Sequence, residues 1–354
     1  MTDTIETGTA FAGAQRAAGY SERAVPIRPE PLLEPPSVEA TAPDNDTSLD
    51  FGGLVDRPSP RARNGWRGLI AKTGIAIPPS AKEVHDLELR DRLRRDEETI
   101  RQSTWTRAVG ILVANPKGGT GKTPSALLLG GTLASIRGGS VAIVEVSDDP
   151  GALTFRAEGR PARGIGELVA DADAITSAGQ LAGYTAPQTS FASVIGTVGW
   201  RAQLAGDDVH RVAGVLDAFY AIRVMDTGNQ PSSSAFIAAV EEADALVVPV
   251  LNAGDAVLEA MAMLDGMRSA GHGRLVESAT ILRLVDGRPE HRQVTDRIDR
   301  ILASHGVGTV IEIPYDAHIA ERNQLTLSEL QPATYRAFAA ASAAVVRTIH
   351  ETDQ

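Results

Sequence analysis

Between Ala108 and Ile136 the chain passes from an apolar run, Ala108–Ala114, through Asn115-Pro-Lys-Gly-Gly-Thr-Gly-Lys-Thr123, into a stretch rich in Ala and Leu. An apolar run closed by a Gly-rich turn and followed by helix formers opens an α/β unit whose strand is covered on both faces. Gly118, Gly119 and Gly121 let the backbone of the turn, Thr120 included, fold so that successive N–H groups converge. The helix N-terminus beginning near Lys122 adds its partial positive charge. A lysine and a hydroxyl at the end of such a turn fit a nucleoside triphosphate, with Lys122 on the β- and γ-phosphates and Thr123 in the shell of a Mg²⁺ ion. A glycine-rich turn with an accidental lysine would not need the strand, the turn and the helix to agree in this way.

The alternation continues to the end of the chain. Candidate strands are Ala108–Ala114, Val141–Val146, Ala221–Met225, Ala245–Leu251, Thr280–Val285 and Thr309–Ile313, with helical stretches near 123–136, 208–218, 231–242, 254–269, 290–304 and 327–350. Residues 172–206 fit either a hairpin or an irregular strand. This order predicts an α/β fold of the P-loop NTPase type, a mostly parallel twisted sheet with helices on both faces, over 108–350. Residues 1–60 hold eight prolines and ten acidic residues against four arginines. They lack apolar periodicity, which predicts a disordered arm. Residues 61–107, with eleven Lys/Arg and seven Asp/Glu, form a helical lead-in. Trp66, Leu69 and Ile70 suggest a short amphipathic helix. Ser80 and Glu83 fit a capping box opening a second helix to about Gln102, with Val84, Leu87 and Leu93 on its less polar side. The run Arg90–Arg95 reads as a solvated face of that helix.

Composition removes several classes of function. The chain has no cysteine, so disulfides, thiolate metal sites and cysteine nucleophiles are excluded. A net charge of -11 argues against non-specific coating of nucleic acid. Asp3 and Glu6 at the start, with no apolar run behind them, do not fit a secretory signal. The most apolar stretch, Ala245–Leu264, is interrupted by Asn252, Asp255 and Glu259, so no transmembrane segment is expected. The Ala-rich C-terminal helix does not suit a membrane surface. A soluble cytoplasmic protein is expected.

Two further motifs follow strands. Ser147-Asp-Asp-Pro-Gly151 succeeds the second strand, and Ala221-Ile-Arg-Val-Met-Asp226-Thr-Gly228 is an apolar strand ending in a carboxylate. Lys117-Gly-Gly-Thr-Gly-Lys-Thr123 resembles the deviant phosphate loop of the ParA/MinD family of ATPases. That resemblance implies ATP with Mg²⁺, and a homodimer formed when ATP is bound, in which Lys117 reaches the partner's phosphates. It also implies that Asp149 positions the attacking water and that Asp226 is a second metal anchor beside Thr123. Gly228 would follow the γ-phosphate by its N–H, and Pro314 would lie near the base. The sequence departs from the family at Ser147, where a carboxylate is usual and Asp148 could substitute. It departs again at Pro124, which lacks an N–H near the α-phosphate, and at Asp286, where an adenine-reading Asn is expected. Weak affinity or slow hydrolysis would follow.

Gly65-Trp-Arg, Leu93-Arg-Arg95 and Ile313-Pro-Tyr-Asp-Ala-His-Ile-Ala320 are similar to the EspI group of actinobacterial MinD-like ATPases associated with type VII secretion. By that resemblance the chain is an ATP-dependent dimerisation switch with a protein partner in a secretion system. Three alternatives stay open. One is a plasmid or chromosome partition ATPase that binds DNA as the ATP dimer, for which the arginines of 292–300 are the relevant feature. The others are a nucleotide-binding scaffold without hydrolysis and a small-molecule ligase. His318 is either a nucleotide contact or a satisfied structural histidine.

Overall fold

The computed structural model describes residues 80–352. The expected arm at 1–60 and the Trp66 segment lie outside them. Eight strands form one sheet: β1 (Val109–Val113), β2 (Val141–Glu145), β3 (Ala186–Pro187), β4 (Ser193–Ile195), β5 (Ile222–Asp226), β6 (Ala245–Leu251), β7 (Thr280–Leu284) and β8 (Thr309–Ile313). Their spatial order is β3-β4-β2-β5-β1-β6-β7-β8, and every neighbouring pair is parallel except β3 with β4. The unassigned stretch therefore holds a hairpin whose second arm, β4, extends the parallel sheet beside β2.

The main helices are α1 (Ala81–Gln102), α2 (Lys122–Arg137), α3 (Ile165–Asp171), α4 (Gly206–Asp217), α5 (Ser234–Glu241), α6 (Gly254–Ser269), α7 (Arg292–Ser304) and α8 (Pro332–Thr352). Every residue of β1, β2 and β5 is buried, which is why these strands read as unbroken apolar runs rather than as alternation. Alternate side chains still go to different layers. Val109, Ile111 and Val113 pack with α2, α8 and Ile100 of α1. Leu112 and Ala114 pack with residues of α3 to α7. Helices thus cover both faces of the sheet.

Helix ends follow their local chemistry. The Ser80 hydroxyl accepts from the Glu83 N–H at 3.2 Å and opens α1, and Ser233 does the same for Phe236 at the start of α5. Gly138, in the left-handed region at φ 78°, ends α2. The C-terminal helix starts at Pro332 rather than at 327, because proline takes the first helical position readily and Leu327–Glu329 is a separate single turn. Within α1, Leu87 and Leu93 are half-buried as expected, but Val84 is exposed and Ile100 is the fully buried anchor. Arg94 pairs with Asp91 and Glu98 along the solvated face. None of the described helices is long and apolar enough to cross a membrane.

Candidate functional site

The site forms where β1, β5 and β2 end together. Their register sets Val113 beside Asp226 and Asp226 beside Glu145. Neighbours in register on a parallel sheet face the same way, so both carboxylates belong to the α2 side with Val113. The loop 114–121 leaves β1 at this level and turns into α2. Gly119 at φ 79° and Gly121 at φ 91° take a conformation that a β-carbon would oppose. Lys122 and Thr123 then occupy the first turn of α2, whose leading N–H groups have no intrahelical partner. Pro124 follows in the same turn and removes one of those donors.

The Thr123 hydroxyl donates to Asp226 Oδ2 at 2.7 Å, while Asp226 Oδ1 is buried without a partner. Burial pushes the Asp226 carboxyl up to about 7; the Thr123 hydrogen bond and the nearby Lys122 ammonium oppose that, and the Glu145 carboxylate adds to it. A buried, unsatisfied carboxylate oxygen next to a hydroxyl is a donor set that fits a divalent cation or its bound water. Lys122 is itself buried, which lowers its pKa against the raising effect of Asp226. Its Nζ donates to Asn229 Oδ1 and, at 3.3 Å, to the Lys117 carbonyl.

The second lysine behaves differently. Lys117 Nζ leaves the loop and lies 3.1 Å from both Asp255 and Glu259 of α6, whose hydrogen bonds raise its pKa. In the loop after β2, Asp148 is buried and Asp149 is exposed. The Asp149 carboxylate accepts from Gln203 Nε2 at 2.9 Å. A β-carbon on Gly228 would fall 2.6 Å from Asp148 Oδ1, so a side chain there would push the Asp148 carboxylate aside.

One cleft of about 710 Å³ runs from Gly119–Thr123 past 147–152 and 226–230 to the ends of β7 and β8. Pro314 and Asp286 line its far part with Tyr315. Asp286 is occupied with Arg288, 3.4 Å away. His318 accepts the Thr326 N–H at 2.9 Å through Nε2, the satisfied structural role rather than a ligand contact. The cleft thus gathers Lys122, Thr123, Asp149, Asp226, Gly228 and Pro314, together with Gly119, Thr120 and Gly121. Gly118 adjoins Asn229, and only the Lys117 side chain is turned away.

A sequence model described as the CobQ/CobB/MinD/ParA nucleotide binding domain matches residues 111–327, from β1 through the whole cleft. The chain belongs to this family. It is similar to the ESX-1 secretion-associated protein EspI of Mycobacterium tuberculosis, 25% identical over 282 residues, which are 77% of this chain and 40% of that protein. The chain therefore spans well under half the length of that relative. Among solved structures, it resembles a ParA family ATPase from Chlorobium tepidum TLS (TM-score 0.53, 13% identity, 70% of this chain and 98% of that one). It also resembles apo McdA from Cyanothece (TM-score 0.52, 17% identity, 67% of this chain and 99% of that one). At such identities the likeness concerns the fold.

Sequence reasoning missed the residue that shapes the 147–149 loop of this CobQ/CobB/MinD/ParA domain. Arg201, buried and just beyond the hairpin, donates to the carbonyls of Ser147 (2.8 Å), Asp148 (2.7 Å) and Asp149 (3.0 Å). Its counter-ion is Glu145 at 3.0 Å, and the two side chains are 4% and 1% exposed. Glu145 Oε1 also takes the Gly151 N–H at 3.0 Å and the Thr197 hydroxyl. The only available signal was an acidic residue at the end of an apolar strand; nothing local marks Arg201. Asn229, Asp255 and Glu259 were equally unmarked as partners of the two lysines.

Proposed function

We propose that this chain is an ATP-binding, slowly hydrolysing switch of the ParA/MinD type, which dimerises when ATP is bound and so regulates or positions a larger assembly in the cytoplasm. The EspI similarity points to a type VII secretion apparatus as the system served and to a protein partner within it. The observation that carries this reading is the division of labour between two lysines of one loop. Lys122 is buried beside Thr123 and Asp226, which suits it to the phosphates of its own nucleotide. Among the described residues, the Lys117 ammonium pairs with exposed carboxylates of α6, so a partner's phosphates can compete for it.

In this reading the N–H groups of Gly118–Gly121 and the α2 terminus hold the triphosphate, and Lys122 offsets its charge. Thr123 and Asp226 would hold Mg²⁺, which when bound draws charge from the phosphate oxygens. Gly228 brings its loop close to the terminal phosphate, and Asp149, steadied by Gln203, orients water. Asp148 is the second candidate for that last role, because it is the buried carboxylate that meets Gly228. Pro314 bounds the base.

Titration with ATP and Mg²⁺, together with phosphate release, tests the assignment. Lys122→Ala should lose ATP binding, and Lys117→Ala should keep binding but lose hydrolysis and dimer. Wild-type release equal to that of Lys122→Ala would leave a scaffold. ATP-dependent retardation of random DNA that weakens with salt and vanishes with the α7 arginines would support the partition reading instead.

A further inference from the structure

Two arginines in the cleft take no part in the proposed switch. Arg156 ends the one-turn helix Leu153–Arg156 that follows the 147–151 loop, and Arg322 lies just beyond the one-turn helix Ala317–Ala320. Both line the cleft that holds the phosphate loop. The backbone laces them together. The Ile319 carbonyl accepts from Arg156 Nη2 and from the Arg322 N–H, each at 3.3 Å, and the Leu325 N–H donates to the Arg156 carbonyl at 2.8 Å. Arg156 is 8% exposed, and its Nε is buried with no partner.

No carboxylate among the described residues pairs with either guanidinium; the charged group that Arg156 feels is Arg322, a like charge. Arg322 also sits at φ 56°, a left-handed backbone that costs a non-glycine residue energy and that persists where the surrounding structure enforces it. Burying one cation, leaving its donor unsatisfied and setting a second cation beside it are each unfavourable. An anion between them would relieve the first and the last of these. The guanidinium fork matches phosphate oxygens, and two cations suit a group carrying close to two negative charges.

We propose that Arg156 and Arg322 form a second phosphate-binding subsite in the cleft, separate from the loop that holds the triphosphate. The phosphate is either an additional one on the sugar of the bound nucleotide or a free phosphate ion; only the first source rests on the nucleotide reading given above.

The test uses the full chain. Inorganic phosphate is titrated by calorimetry and thermal melting into Lys122→Ala, in which the first anion site is disabled. Separately, wild type is titrated with ATP and with adenosine 3′-phosphate 5′-triphosphate. A free-phosphate site predicts stabilisation of Lys122→Ala that weakens about tenfold when Arg322→Gln is added, the loss of one charge-assisted contact. A nucleotide-borne phosphate predicts that the 3′-phosphorylated nucleotide binds more tightly than ATP and that Arg322→Gln removes the preference. In both cases Arg322→Gln alone should raise the melting temperature without ligand, because it removes the repulsion; a merely structural arginine would lower it. Arg322 is exposed, so this variant folds even if Arg156→Gln does not. Phosphate and nucleotide responses that are both indifferent to Arg322→Gln overturn the proposal. Failure of wild type to bind ATP, with the phosphate effect intact, would remove only the nucleotide reading.

Discussion

Asp226→Asn in the nucleotide-free protein should cancel a specific part of its dependence on pH. The folded carboxyl is raised from 3.8 to about 7, so between these values the native state holds a proton that the unfolded chain has released. Stability from this group is complete below the unfolded value and is lost as pH rises through the folded one. At about 1.4 kcal/mol per pH unit the full span is on the order of 4 kcal/mol, and roughly 2.5–3 kcal/mol of it falls between pH 5 and pH 8. Asparagine keeps the shape and can still accept from the Thr123 hydroxyl, but it carries no charge at any of these values. Urea denaturation of wild type and Asp226→Asn in EDTA, at pH 5 and pH 8, separates this carboxyl, with its coupling to Lys122 and Glu145, from the other titrating groups. Wild type should lose stability relative to the variant as pH rises, and Mg²⁺ with ATP should narrow the gap. Parallel pH profiles for the two proteins would refute the buried, proton-holding carboxyl.

Other perturbations act on neighbouring parts of the site. Arg201→Ala strands the Glu145 carboxylate in the core and should cost about 3–5 kcal/mol in urea denaturation, whereas Arg201→Met with Glu145→Gln should recover much of that loss. Pro124→Ser restores an N–H in the first turn of α2 and should tighten ATP about tenfold by calorimetry, in line with one charge-assisted hydrogen bond; unchanged affinity would remove Pro124 as a cause of weak binding.

The strands of the sheet interior could be read from the sequence to within a residue or two, because central parallel strands are buried on both faces and carry continuous apolar runs. The Gly-rich turn into α2 was equally legible, since Gly119, Gly121, Lys122 and Thr123 answer to local backbone geometry and to the start of the helix. Contacts between segments far apart in the chain were not readable. Arg201 comes from the irregular stretch after β4 and yet fixes the Ser147–Asp149 loop. In the sequence Asp255 and Glu259 show only as interruptions of an apolar stretch, and their meeting with Lys117 depends on how α6 lies against the loop. Val84 failed for a related reason: helical spacing marks a stripe, but only the packing of α1 on α8 and α2 decides which part of the stripe is covered.

Solution mass measured without nucleotide, with ADP and with ATP, each with Mg²⁺, for wild type and Lys117→Ala, tests the dimerisation switch most directly. The expected result is a dimer for wild type with ATP alone, and a monomer for Lys117→Ala under all three conditions although it still binds ATP. A wild-type mass that is the same with and without ATP would contradict the dimerisation switch.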